Sequence, residues 1–188
     1  MALNVLLLGP QGAGKGTQAK RISAEYGLPH IASGEILRAE MDAGTELGKR
    51  VKETIERGDL VSDDLMIELI RNRLEQPDTE AGFVLDGFPR TTVQAEALDS
   101  MFADIGRNFS VAFALQIPDQ VAFDRLRLRA RADDTDEAIQ RRLDNYHRET
   151  EPLIEFYRTR GNVVPIHADR SENEVFAEIS RALEQVPA

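Results

Sequence analysis

The stretch Val5 to Thr17, VLLLGPQGAGKGT, restricts what this 188-residue chain can become more than any other part of it. Four consecutive apolar residues, Val5 to Leu8, read as a strand buried on both faces, as in a parallel sheet. A loop follows with glycines Gly9, Gly12, Gly14 and Gly16 and a single lysine, Lys15. Ala19, Ile22 and Tyr26 then recur at helical spacing, so the loop opens a helix. Residues without a Cβ let several backbone N–H groups converge on one phosphate, and the helix dipole favours negative charge at that end. Lys15 adds a mobile positive charge that can follow a terminal phosphate. The spacing Gly9-x-x-x-x-Gly14-Lys15 is the P-loop signature of nucleotide-phosphate sites. It departs at one place: Gly16 stands where Ser or Thr usually follows the lysine, and a hydroxyl arrives one residue later at Thr17.

The charge balance narrows the partners. With 33 acids against 23 bases the formal charge is −10, which disfavours non-specific binding to nucleic acid or an anionic membrane. Cysteine is absent, which excludes disulfides and thiolate-held zinc. No apolar run approaches the ~18 residues of a membrane span, and the chain enters its first strand without a charged leader. A soluble, cytoplasmic protein with no nucleic-acid or membrane partner is expected. The length suits one α/β domain with small insertions.

Further apolar runs at 30–32, 83–85, 111–117 and 162–166 alternate with helical patterns, which predicts a five-stranded parallel sheet with helices on both faces. Ligands then sit at the carboxyl ends of the strands, where the glycine loop already lies. Ser62-Asp63-Asp64 reads as a cap with first-turn acids, ahead of a helix with Leu65, Met66, Leu69, Ile70 and Leu74 on one stripe. Glu137 to about Arg160 reads as one long helix bent near Pro152. Ser171-x-x-Glu174 is a capping box before the last helix. Two segments fit the alternation poorly, a helical pair near 33–61 and a polar stretch near 129–136. Both are candidate flaps over the site.

Asp86 falls at the carboxyl end of a buried strand, where P-loop proteins keep the acid that holds Mg²⁺ directly or through water. Arg90 follows four residues on. Arg125, Arg127, Arg129 and Arg131 lie within seven residues, with Arg141 and Arg142 shortly after. Arg125 and Arg129 share a helical face, where like charges repel unless an anion lies between them. A charge run is ordinarily a solvated face; its concentration in an acidic chain beside a phosphate loop points instead to phosphate. Asp133 and Asp134 are placed to pin some of these guanidinium groups. His30, His147 and His167 share no metal-ligand spacing and read as structural or surface residues. One lysine, several arginines and one Mg²⁺-linked acid suit phosphoryl transfer to an acceptor that is already an ionised phosphate, which needs positioning and charge cancellation but no general base.

Over essentially its whole length the chain resembles the adenylate kinases. The resemblance is carried by Gly12-Ala13-Gly14-Lys15-Gly16-Thr17-Gln18, Ser33-Gly34-Glu35-x-x-Arg38, Gly58-x-Leu60-Val61, Asp86-Gly87-Phe88-Pro89-Arg90-x-x-x-Gln94 and Arg131-x-Asp133-Asp134. The Gly16-Thr17 departure is this family's own habit. The resemblance implies reversible transfer between Mg·ATP and AMP, giving two ADP. Gly12, Ala13, Gly14, Lys15, Gly16 and Thr17 would hold the ATP phosphates, Arg129 would touch ATP, and the backbone near Arg170 would lie by its adenine. Ser33, Arg38, Asp59, Leu60, Val61, Gly87, Phe88, Pro89, Arg90 and Gln94 would hold AMP, joined by Arg131 and Arg142. Lys15, Arg90, Arg125, Arg131 and Arg142 would be the catalytic cations, and Asp86 would hold Mg²⁺ through water. Within one kinase domain, 1–188, the core would be 1–31, 62–128 and 139–188, the AMP-binding flap 32–61 and the lid 129–138. The long-lid members carry a few dozen residues between the two lid arginines, and some bind zinc there. That insertion is absent, so the short-lid form is the nearer match, no zinc is expected, and a monomer is, as such members usually are. Gln11, Glu35 and Ala130 stand where proline, Asp and Gly are usual.

Gln94 resembles the AMP-specific members, whereas pyrimidine monophosphate kinases of the same fold tend toward asparagine in that region. A P-loop switch that hydrolyses nucleotide slowly would need neither the arginine cluster nor a second nucleotide pocket. A nucleic-acid site would interleave aromatics with the arginines, and this sequence does not. Arg90→Ala is expected to cut turnover by orders of magnitude and leave the fold intact, checked by steady-state kinetics beside circular dichroism; near-normal activity would remove this account of the site.

Overall fold

The computed structural model describes residues 2–186. Five strands, β1 (Leu3–Leu8), β2 (His30–Ala32), β3 (Gly82–Asp86), β4 (Val111–Gln116) and β5 (Val163–His167), form one parallel sheet in the order β2-β3-β1-β4-β5. Between them run α1 (Lys15–Tyr26), α2 (Ser33–Asp42), α3 (Glu46–Arg57), α4 (Asp63–Leu74), α5 (Thr92–Asp104), α6 (Asp119–Arg129), α7 (Asp136–Asn145) and α8 (Pro152–Arg158); α9 (Glu172–Leu183) follows the last strand.

The strand at the centre explains the two-layer core. Successive β1 side chains point to opposite faces. Leu6 and Leu8 pack with Met66, Ile70, Leu98 and Leu153 on one side, while Val5 and Leu7 pack with Ala19, Ile22, Val175 and Ile179 on the other. All of these lie at 5% exposure or less, so β1 has no polar face to spare and must be interior.

Helix ends follow their caps. Thr45, Thr91 and Thr135 accept from the backbone N–H groups of Gly48, Gln94 and Ala138, and Ser171 with Glu174 forms the expected capping box. Ser62 is the exception: it stands at the N-cap of α4, but its hydroxyl makes no capping bond. The predicted long helix from 137 is also interrupted. A π-helical turn at Tyr146–Thr150 separates α7 from α8, just before Pro152, whose missing N–H cannot continue the ladder. Among the described residues no helix is long and apolar enough to cross a membrane.

Helices α2 and α3 form a hairpin inserted between β2 and α4, where the sequence breaks its alternation. They approach at Gly48, where a Cβ would lie 2.1 Å from the Glu40 carbonyl oxygen. Gly48→Ala should force the helices apart and destabilise the protein by about 1–3 kcal/mol, the usual scale of overpacking. Denaturant titration checks this, and unchanged stability would mean that the hairpin adjusts freely.

Candidate active site

The loop after β1, the carboxyl end of β3, the α2–α3 hairpin, residues 129–133 and the start of α9 surround one cavity of about 750 Å³. The phosphate loop is its floor. Gly12 has φ 87°, and a Cβ there would come 2.7 Å from the Ala122 carbonyl oxygen, so α6 crosses the loop where only glycine fits. Lys15 curls back into the loop, with Nζ donating to the carbonyl oxygens of Gly9 (2.7 Å) and Pro10 (2.9 Å). Burial pulls its ammonium down to about 8; Asp86 opposes this, and Arg90 and Arg129 reinforce it.

Parallel pairing of β1 with β3 sets Asp86 opposite Leu7, immediately below the loop. Burial pushes the Asp86 carboxyl up, but His30, Lys15 and Arg90 together outweigh it and hold the group below its ordinary range. A Cβ on Gly16 would lie 3.5 Å from Asp86 Oδ2, so the missing side chain leaves space between loop and carboxylate. One carboxylate with room beside it fits Mg²⁺, which keeps several waters and takes few protein ligands. Among the described residues, no three His, Asp or Glu side chains converge as a metal-ligand group.

The arginines divide into two sets. Arg129 makes two parallel bonds to Asp134 (2.9 and 2.7 Å), and Arg142 reaches Asp134 (2.7 Å), Asp133 (2.5 Å) and the Ile55 carbonyl oxygen (3.2 Å). The Asp134 side chain is fully buried and also accepts the Arg131 backbone N–H at 3.2 Å. Burial raises its carboxyl, but Arg129, that N–H and Arg142 prevail and lower it. The other set, Arg38, Arg90, Arg125 and Arg131 with Lys15, forms no ion pair among the described residues. Backbone carbonyls aim two of them: Arg90 Nε donates to Gly87 (2.7 Å) and Arg125 Nη1 to Ala168 (3.0 Å).

The cavity gathers Gly12 to Thr17, Ser33, Arg38, Asp59, Leu60, Val61, Asp86, Gly87, Arg90, Gln94, Arg125, Arg129, Arg131, Arg142 and Arg170. Two expected residues stay outside it. Phe88 is 1% exposed and packs in the core, because the chain turns inward directly after β3. Pro89 lines a smaller space of about 40 Å³ that shares Lys15, Gly87 and Arg90 with the main cavity.

A sequence profile of adenylate kinase matches residues 7–162 of this chain. The adenylate kinase of Methanosarcina barkeri is 38% identical to it, over 97% of this chain and 99% of the relative. That of Stenotrophomonas maltophilia (strain K279a) is 41% identical, over 96% and 99%, and that of Parvibaculum lavamentivorans 42%, over 96% and 92%. The chain belongs to the adenylate kinase family.

Two polar residues beside this adenylate kinase cavity make contacts that escaped the sequence reading. His30 is not a surface residue: β2 pairs with β3, and its Nε2 lies 3.6 Å from Asp86 Oδ2. Asp63 is the first-turn acid of α4 that the sequence predicted, and it also accepts from Thr91 Oγ1 and Gln94 Nε2, each at 2.9 Å. Neither contact has a signal at fixed spacing in the sequence; both depend on which elements lie side by side.

Lys15 must be an ammonium to meet a phosphate. With its ordinary value of 10.5 lowered to about 8 in the free enzyme, it loses that proton as pH rises through about 8. Phosphate favours the charged form, so nucleotide binding should take up a proton at pH 9 and less near pH 7. The sign follows: ATP affinity falls as pH rises through about 8, by up to about tenfold per unit. Calorimetry in buffers of different ionisation enthalpy measures the uptake, and equal values at both pH values would contradict it.

Proposed function

We propose that the 750 Å³ cavity is where this adenylate kinase joins its two nucleotides, through the residues named above. The enzyme transfers the terminal phosphoryl group of ATP reversibly to AMP, giving two ADP. The observation that carries the site assignment is a set of cations with no ion-pair partner among the described residues: Lys15, Arg38, Arg90, Arg125 and Arg131 face one cavity in a chain of net charge −10.

ATP's phosphates lie on the loop Gly12 to Thr17, and Lys15 exchanges the Gly9 and Pro10 carbonyls for a phosphate oxygen. Arg129 touches ATP, and the backbone at Arg170 flanks its adenine. AMP lies under the α2–α3 flap, with Ser33, Arg38, the Asp59–Val61 backbone, Gly87 and Gln94 around it; Phe88 and Pro89 contribute only through the turn they form. Arg90, Arg125, Arg131 and Arg142 surround the phosphates and cancel the charge that otherwise keeps two anions apart. The AMP phosphate is already ionised, so no side chain needs to remove a proton. Asp86 would hold Mg²⁺, which when bound would supply further positive charge to the ATP phosphates. Closure of the flap (32–61) and the short lid (129–138) excludes water, which strengthens these contacts and prevents transfer to water. The core of 1–31, 62–128 and 139–188 stays rigid beneath them. Both nucleotide places are built from one chain, which supports a monomer, and the substrates support work in the cytoplasm.

The test is product analysis by chromatography, with ATP, Mg²⁺ and separately AMP, UMP, CMP or GMP, beside a control without acceptor. Two ADP per ATP consumed, with AMP alone, is expected. Preference for UMP or CMP would move the assignment to a pyrimidine kinase, and free phosphate regardless of acceptor would reduce the cavity to a hydrolase site.

A further inference from the structure

We infer that Asp63 sets which way round the Gln94 amide faces, and through it makes the acceptor site choose a 6-amino purine over a 6-oxo purine. The inference rests on Gln94 as the reader of the AMP base and gives that reading its chemical direction.

An amide side chain has an acceptor end and a donor end of nearly equal shape, so its specificity depends on what fixes its rotation about χ3. Gln94 is 2% exposed, and both ends are held. Oε1 accepts the Arg90 backbone N–H at 2.7 Å, and Nε2 donates to Asp63 Oδ1 at 2.9 Å. A backbone N–H only donates and an ionised carboxylate only accepts. Turning the amide over would set Nε2 against the Arg90 N–H and Oε1 against the Asp63 carboxylate, which replaces two bonds by two repulsions. The amide therefore has one orientation, with one lone pair left on Oε1 and one N–H left on Nε2.

Adenine offers a matching pair on neighbouring atoms, a 6-amino donor and the N1 acceptor. Hypoxanthine offers the reverse, a 6-oxo acceptor and an N1–H donor. A freely turning amide would serve either, and a locked one rejects the second.

Asp63 itself is fixed from a second side, because the same Oδ1 accepts the Thr91 hydroxyl at 2.9 Å, and Thr91 also caps α5 by accepting the Gln94 backbone N–H at 3.2 Å. The carboxylate thus ties the first turn of α4 to the first turn of α5, while Ser62 leaves the α4 capping place unused. Asp63 is a positioning residue, acting through Gln94.

The experiment compares kcat/KM for AMP and for IMP, each with Mg·ATP, in the wild type and in D63N, T91V and Q94A, with a melting curve for every variant. IMP is the probe because it differs from AMP only at the 6-position and the N1 proton. In D63N the introduced amide can turn to donate to Oε1 of Gln94, so only the Arg90 N–H then opposes the flip. D63N is expected to lower the AMP-to-IMP ratio by about tenfold, the worth of roughly one hydrogen-bond mismatch, largely through a lower KM for IMP and a higher one for AMP. T91V removes the other bond to Asp63 and a helix cap, and is expected to lower the melting temperature while keeping the ratio within about threefold. A ratio unchanged in D63N, or reduced as much in T91V as the inference requires of D63N, overturns the role of Asp63; the T91V arm decides even if D63N does not fold. Q94A separates the two readings. If its ratio equals the wild type's, Gln94 does not read the base, and that assignment fails before Asp63 is in question. If Q94A loses the ratio and D63N keeps it, only the Asp63 inference falls.

Discussion

Lys15, Arg38, Arg90, Arg125 and Arg131 line one cavity with no carboxylate in ion-pair contact among the described residues, and much of the remaining structure serves to hold them there. A like-charged pair 4 Å apart near a protein surface costs on the order of 4 kcal/mol. A chain with ten more acids than bases has ample means to cancel that cost. Here it does so selectively: Arg129 and Arg142 receive Asp133 and Asp134, and the others receive backbone carbonyls or none. Repulsion left standing among these cations favours any anion that comes between them.

The sheet makes this arrangement rigid. β1 is buried on both faces, and its two neighbours are fixed in register, so the phosphate loop, Asp86 and the loop after β5 emerge side by side. Each functional group hangs from the end of an element whose opposite end is locked in apolar packing. Lys15 sits in the first turn of α1, Asp86 at the last residue of β3 and Arg129 at the last residue of α6.

Asp134 and Arg142 connect the polar segment at 129–134 to the α2–α3 hairpin. Arg142 joins the carboxylates of Asp133 and Asp134 to the Ile55 carbonyl of α3, while Asn145 Nδ2 donates to the Gly58 carbonyl at 3.2 Å. Helix α7 therefore touches both the segment at 133–134 and the end of the α2–α3 hairpin. The π-helical turn that follows places Thr150 to donate to the Arg90 carbonyl at 2.8 Å, so the irregular turn supports the arginine at the centre of the site.

The local sequence determined the glycine loop, the five strands and most helix bounds, because glycine placement, side-chain period and capping residues act within a few positions of themselves. Ser33, Arg38, Asp59, Leu60, Val61 and Gln94 were legible only through the family resemblance, and they do line the cavity. The arginines gathered at 125–131 and 141–142 in an otherwise acidic chain pointed to anionic ligands. Tertiary structure decided the rest. His30 reaches Asp86 only because β2 lies beside β3, and Asp63 meets Gln94 only because α4 begins next to α5. Phe88 entered the core despite standing inside a site motif, and the expected long helix broke at a π-helical turn before Pro152. These outcomes depend on which distant segments become neighbours, and a carboxylate or imidazole takes its role from the partner it meets there.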